Sequence, residues 1–210
     1  MNNKITIHTD IHQRSEEWHE IRLGRVGGSE SNVLSVKGKS ESGLGAAAFT
    51  LLYEKAFEII QKEPVKENIV TFAMQRGMDL EPEAIHEYEL NKMVKVDQVG
   101  YILNSDYKYA GYSPDGLVGE NGLIEIKCPG NSEFMRQIIT KEIPKPYLCQ
   151  MQWGMFLSGR NWCDYVVYNP DYTKSPLYID RVDRNDKIIE TLKANYLAFE
   201  NELDSILERI

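Results

Sequence analysis

Residues 113–130 read SPDGLVGENGLIEIKCPG, and this stretch decides the fold. Pro114-Asp115-Gly116 is turn chemistry at the mouth of a strand. Leu123-Ile124-Glu125-Ile126-Lys127 alternates, so Glu125 and Lys127 share one strand face while Ile124 and Ile126 take the other. A hairpin over 116–125 folds the chain back and sets Asp115 beside Glu125. Two hard oxygen donors held together suit Mg2+ or Mn2+, with waters and a substrate phosphate completing an octahedron. The Lys127 ammonium can orient or help deprotonate an attacking water and offset negative charge. These are the parts that phosphodiester hydrolysis needs. The bland alternative is a solvent-facing edge strand whose Glu and Lys alternate with core residues. Glu-x-Lys alone does not separate the two; the acid upstream (125 − 115 = 10) makes the constellation far more specific.

The chain has 210 residues, enough for one domain with a substantial core. No apolar run approaches bilayer length, and the opening MNNKITIHTD lacks a basic region followed by an apolar one, so neither membrane nor secretion signal is expected. Cys128, Cys149 and Cys163 are odd in number and widely spaced, which points to reduced thiols in a cytosolic setting. The four histidines (His8, His12, His19, His86) show no zinc spacing with them. A net charge of −8 argues against a passive nucleic-acid coat protein, though not against an enzyme that concentrates positive charge locally. Residues 126–160 do so: five basic residues against Glu133 and Glu142 leave +3.

Ser15 is placed to cap a short helix through Glu17, Trp18, Ile21 and Arg22, which breaks at Gly24 or at Val26-Gly27-Gly28. Ser29 can then cap a helix beginning Glu30-Ser31-Asn32. Residues 36–45 read as a polar loop and 46–61 as a helix. A further helical stretch covers 69–90, with Gly77 and Pro82 as points of bend or restart. Extended segments follow at 94–96, 100–103, 109–112, 116–118 and 123–127. Helices at 132–140 and 146–157 precede strands at 162–168 and 177–182. Ile189, Leu192, Tyr196, Phe199, Leu203, Ile206 and Ile210 step by 3 and 4, the stripe of a helix docked on the core. This succession predicts a single α/β domain over 1–210 whose central mixed β-sheet is flanked by helices.

The order Pro-Asp, spacer, Glu-x-Lys resembles the PD-(D/E)xK nuclease superfamily. Six segments narrow the resemblance to the phage lambda exonuclease-type, YqaJ-like viral recombinase family: EWHEIRLG (17–24), VGGSE (26–30), RGMDLEP (76–82), SPDG (113–116), EIKCP (125–129) and YLCQMQ (147–152). They stand in the family's order across roughly residues 14–168. Together they are specific; singly each is weak. The resemblance implies a PD-(D/E)xK nuclease-like core with N-terminal helices and a long C-terminal helix.

It also implies roles. Asp115 and Glu125 would hold catalytic Mg2+, for which Mn2+ substitutes, with the main-chain carbonyl of Ile126 as a further ligand. Lys127 would position the nucleophilic water. Glu81 would contact metal or metal-bound water, against the alternative of a first-turn glutamate favoured by the helix dipole beside Pro82. Arg22 and Ser29 would anchor the terminal 5′-phosphate: a guanidinium forks onto phosphate oxygens, and a serine at a helix N-terminus adds a hydroxyl and free amides. Gly27-Gly28 departs from the Thr-Ala or Thr-Gly of many relatives, losing a hydroxyl. Gln150 would sit near the metal; Gln152, two residues on, cannot share its helix face. Tyr147 can line the substrate or pack in the core.

The activity implied is digestion of one strand of duplex DNA from a 5′ end, releasing mononucleotides and leaving a 3′ overhang in phage-type recombination. Relatives assemble as trimeric rings and work with a single-strand annealing protein, which implies a bacterial cytoplasm and phage or prophage origin. Rival readings are a PD-(D/E)xK endonuclease of restriction or repair type and a non-catalytic DNA-end binder that recruits an annealing protein. The binder has no reason to keep paired acids that repel phosphate. An iron–sulfur relative would need four cysteines.

Overall fold

The computed structural model describes residues 4–65 and 70–210. Residues 1–3, at the head of MNNKITIHTD, and Ile69, the expected first residue of a helix, lie outside them. The order is β1 (Ile5–His8), α1 (Glu16–Arg22), a 3₁₀-helix (Gly28–Ser35), α2 (Ala46–Gln61), α3 (Phe72–Lys92), β2 (Val96–Asp97) and β3 (Tyr101–Asn104). Then come β4 (Gly116–Val118), β5 (Gly122–Lys127), α4 (Asn131–Thr140), α5 (Lys145–Ser158), β6 (Trp162–Tyr168), β7 (Leu177–Asp183) and α6 (Asp186–Leu207).

Five strands form a mixed sheet in the order β2-β4-β5-β6-β7, with β5 and β6 parallel and the other pairs antiparallel. β5 is therefore an inner strand, and the edge-strand reading of Glu-x-Lys falls away. Strand alternation sorts the core into two layers. Leu123, Tyr165 and Val167 join Trp153 and Phe156 of α5 and Tyr196 and Phe199 of α6. Ile124, Ile126 and Val166 pack instead with Ala84, Ile85 and Tyr88 of α3. Helices thus cover both faces, as a sheet with a buried parallel pair requires.

Several local expectations change. α3 runs unbroken through Gly77 and Pro82, capped by Thr71, whose hydroxyl accepts the Met74 N–H at 3.2 Å. Ser29 caps nothing: the 3₁₀-helix starts at Gly28, and the Glu30 carboxylate takes the Gly27 N–H at 2.8 Å. The 109–112 segment makes isolated bridges, Val26 with Ala110 and Ile102 with Tyr112, rather than a strand. An unanticipated strand, β1, pairs antiparallel with β3. Ile210 lies past the end of α6 and is 83% exposed, so the apolar stripe stops before it. No helix among the described residues is long and apolar enough to cross a membrane.

Candidate active site

The β4–β5 hairpin pairs Gly116 with Ile124 and Val118 with Gly122, and Gly119 takes the left-handed conformation (φ +53°) that its tight loop requires. One more step in this register sets Asp115 opposite Glu125. Asp115 Oδ2 accepts the Ile126 backbone N–H at 2.6 Å, which fixes the carboxylate at the end of the hairpin. Glu125 Oε1 receives the Lys127 ammonium at 2.5 Å.

Among the described residues two acids of this sheet are fully buried, Asp164 and Glu125, and the contrast between them is decisive. Asp164 is satisfied: Arg181 grips it through two nitrogens at 2.7 and 2.9 Å, and the Tyr88 hydroxyl donates to it at 2.8 Å. That acid is architecture. Glu125 Oε2 is buried and makes no hydrogen bond of normal geometry, with the equally unsatisfied Tyr112 hydroxyl as its polar neighbour. An orphaned carboxylate oxygen costs free energy that a ligand can recover.

Asp115 and Glu81 open onto a cleft of about 660 Å³ also lined by Arg14, Ile126, Lys127 and Tyr147, while Glu125 stays buried behind Lys127. Burial pushes the Glu125 carboxyl up to about 7, Lys127 opposing and Asp115 adding to the shift. Burial and then the Asp115 charge push Glu81 up to about 7 as well, against the pull of Arg14. Asp115 is raised by burial and restrained by Lys127 and its bond to Ile126. Burial works against the Lys127 ammonium, yet Glu125 and Asp115 outweigh it and hold it above its usual value. Those two acids hold Lys127 as a cation.

Among the described residues no group of three or more His, Cys, Asp and Glu side chains stands close enough to hold a metal ion unaided. The donor set nevertheless fits one. Hard divalent cations take one or two carboxylates and complete their shell with water and phosphate oxygens. Asp115 and Glu125 would supply the carboxylates, Glu125 through the oxygen that Lys127 leaves open.

Other expected site residues fall in different places. Tyr147 lines the cleft with its ring 4.7 Å from Lys127 Nζ. Arg22 and Ser29 lie outside the cleft lining. The Arg22 guanidinium stacks 3.8 Å over the Trp18 ring, and Ser29 is exposed at the start of the 3₁₀-helix. The Trp18 indole N–H reaches Ser113 Oγ at 3.0 Å, tying α1 to the segment that carries Asp115. Gln150 leans on the glycine turn: a Cβ added to Gly28 would lie 3.1 Å from its Cγ and 2.9 Å from the Tyr112 ring. That close approach explains a glycine at position 28. Gln152 points elsewhere, donating to the Asp183 carbonyl at 2.9 Å and accepting the Asn185 N–H at 2.8 Å.

Sequence reasoning missed three participants. Ser113 stands in the SPDG motif without an assigned role. Lys55 is buried in α2 and bridges Glu30 (2.9 Å) and Glu58 (3.2 Å). Those acids hold the N–H groups of Gly27 (2.8 Å) and Gly24 (3.0 Å), so Lys55 braces the turn between Arg22 and Ser29. Its helical spacing with Leu51, Leu52 and Ala56 marked it as inward-facing. Arg14 donates to Glu81 Oε2 at 3.2 Å across the cleft, and no sequence signal pointed to it.

Comparison with known proteins identifies the family and the fold. The model of the YqaJ-like viral recombinase domain matches residues 17–161. An alkaline exonuclease from Laribacter hongkongensis (LHK-Exo) is 33% identical, with a TM-score of 0.82 over 93% of this chain and 95% of that one. The same enzyme in complex with dAMP matches equally well. A phage-related exonuclease from Haemophilus somnus 129PT shares the fold at 16% identity, TM-score 0.69, over 91% and 98% of the two chains. No curated protein sequence matches. The chain belongs to the YqaJ-like viral recombinase family.

Proposed function

We propose that this protein, a single domain over residues 1–210, is a Mg2+-dependent exonuclease that digests one strand of duplex DNA from its 5′ end. One observation carries the reading: Glu125 Oε2 is buried without a hydrogen bond, behind a cleft lined by Asp115 and by Lys127, whose ammonium Glu125 holds, inside a matched recombinase domain. The similar LHK-Exo is an exonuclease solved with dAMP, a mononucleotide of the kind that end digestion releases.

Asp115, Glu125 and the Ile126 carbonyl would hold the cation, with Glu81 on its water shell. A bound divalent cation polarises phosphate oxygens and lowers the pKa of water. Lys127, steadied by Glu125 and the Tyr147 ring, orients the attacking water. As the water oxygen bonds to phosphorus, the bond to the terminal nucleotide's 3′-oxygen breaks. The water releases a proton to solvent, and the departing 3′-oxygen takes one up to leave as a hydroxyl. A 5′-mononucleotide departs and a new 5′-phosphate remains on the strand. Arg22 and Ser29 can capture that phosphate, so each cut regenerates their ligand. Gln150 and the Tyr112 ring both pack against Gly28 of this turn.

The 3′ overhang left behind is a substrate for a single-strand annealing protein, the partner we infer, inside a bacterial host. A trimeric ring around DNA would keep an enzyme of net charge −8 on its track without a basic surface. The test uses linear duplexes labelled at either end, with Mg2+ and then with excess chelator. Mononucleotides released from 5′ ends, abolished by chelation, support the reading; cutting of closed circular DNA would assign the cleft to an endonuclease instead.

A further inference from the structure

Arg14 is one of four residues other than glycine with positive φ among those described, at +73°. The other three, Lys62, Met93 and Lys141, are C-caps of α2, α3 and α4, where a left-handed residue ends a helix. Arg14 ends none. It sits in the turn before α1, where Ser15 N–H bonds the His12 carbonyl at 3.1 Å. A left-handed arginine costs about 1–2 kcal/mol, so the surrounding structure must hold it there.

That holding structure is visible. The Gln13 amide donates to the carbonyls of Val99 (3.0 Å) and Pro114 (2.7 Å), the latter adjoining Asp115. Ser15 Oγ accepts the Trp18 N–H at 3.2 Å and starts the helix that carries Arg22. The turn is pinned on both sides, and its strained member places a half-exposed guanidinium in the cleft, 3.2 Å from Glu81. Glycine at position 14 would relieve the strain, so the arginine is kept there at a conformational cost.

We infer that Arg14 is a DNA-phosphate ligand held in reserve by Glu81. This rests on the exonuclease reading above. While Glu81 is a bare carboxylate, its charge occupies the Arg14 guanidinium. Once Glu81 faces a divalent cation and its water shell, that charge is shared and Arg14 can fork onto a phosphodiester of the strand in the cleft. Arg14 would then couple DNA affinity to metal loading, gripping the strand when the site is competent to cut it.

The test measures binding of a labelled duplex with a 5′-phosphate end to the wild type, Arg14→Gly and Arg14→Lys, over a range of salt. Each runs with chelator and with Ca2+, a divalent probe that favours looser coordination than Mg2+. One phosphate contact steepens the dependence of log affinity on log salt by about 0.9. With Ca2+, Arg14→Gly should bind roughly tenfold more weakly, a loss expected for one charge-assisted bond, with a slope shallower by about 0.9. With chelator the two proteins should differ little, and thermal melting should show Arg14→Gly at least as stable as the wild type. Arg14→Lys should restore the slope, since it keeps the charge. Equal slopes for wild type and Arg14→Gly in Ca2+, with wild-type digestion intact, would overturn the inference and leave the exonuclease reading standing. Wild-type protein that neither binds nor digests duplex ends would overturn both.

Discussion

The indole N–H of Trp18 donates to Ser113 Oγ at 3.0 Å, and the same ring carries the Arg22 guanidinium 3.8 Å from its centre. One side chain therefore joins a cation suited to a terminal phosphate with the strand that presents Asp115. Trp18→Phe keeps the ring beneath Arg22 and deletes the donor. Stability should fall by about 1 kcal/mol. The rate preference for 5′-phosphate over 5′-hydroxyl ends should shrink about fivefold, since that energy is worth such a factor. Melting and paired digestions of the two substrates check it; an unchanged preference would show that the bond is structural alone.

Removing the Lys127 ammonium leaves Glu125 buried without its partner at Oε1. Lys127→Met should lower the single-turnover rate by about 100-fold or more, the scale of losing one preorganised charge at a reacting phosphate. DNA binding with Ca2+ should persist. Loss of binding in parallel with activity would instead mark Lys127 as a docking residue.

Glu81 and Glu125 sit near 7 in the metal-free protein, above the usual carboxylate value. Between that usual value and 7 the folded chain binds more protons than the unfolded one, so the stabilisation from these groups is complete at low pH and lost as pH rises through 7. A divalent cation takes the deprotonated form. Mg2+ should therefore raise the melting temperature markedly at about pH 8 and little at about pH 5.5. Equal shifts at both would place the cation on other ligands.

Lys55 is clamped between Glu30 and Glu58, and its removal strands two partly buried acids. Lys55→Ala should cost about 3 kcal/mol, as when one partner of a buried pair is lost. Because Glu30 and Glu58 hold the Gly27 and Gly24 amides, discrimination for 5′-phosphate ends should fall further than digestion of hydroxyl ends. Denaturant melts and the two-substrate ratio separate these effects.

The sequence by itself determined the hairpin and the pairing of Asp115 with Glu125, because both depend on local rules. Strand alternation fixes which residues share a face, and turn chemistry fixes where the chain reverses. The motifs likewise sufficed for the family. Tertiary structure decided what spacing cannot encode. It made β5 an inner strand, which buries Glu125 and orphans its second oxygen while Asp164, equally buried, is satisfied by Arg181 and Tyr88. It also brought Arg14 onto Glu81 and Trp18 onto Ser113, contacts between residues 67 and 95 positions apart. Burial and long-range partnership arise from how elements pack, and they separate a reactive acid from a structural one.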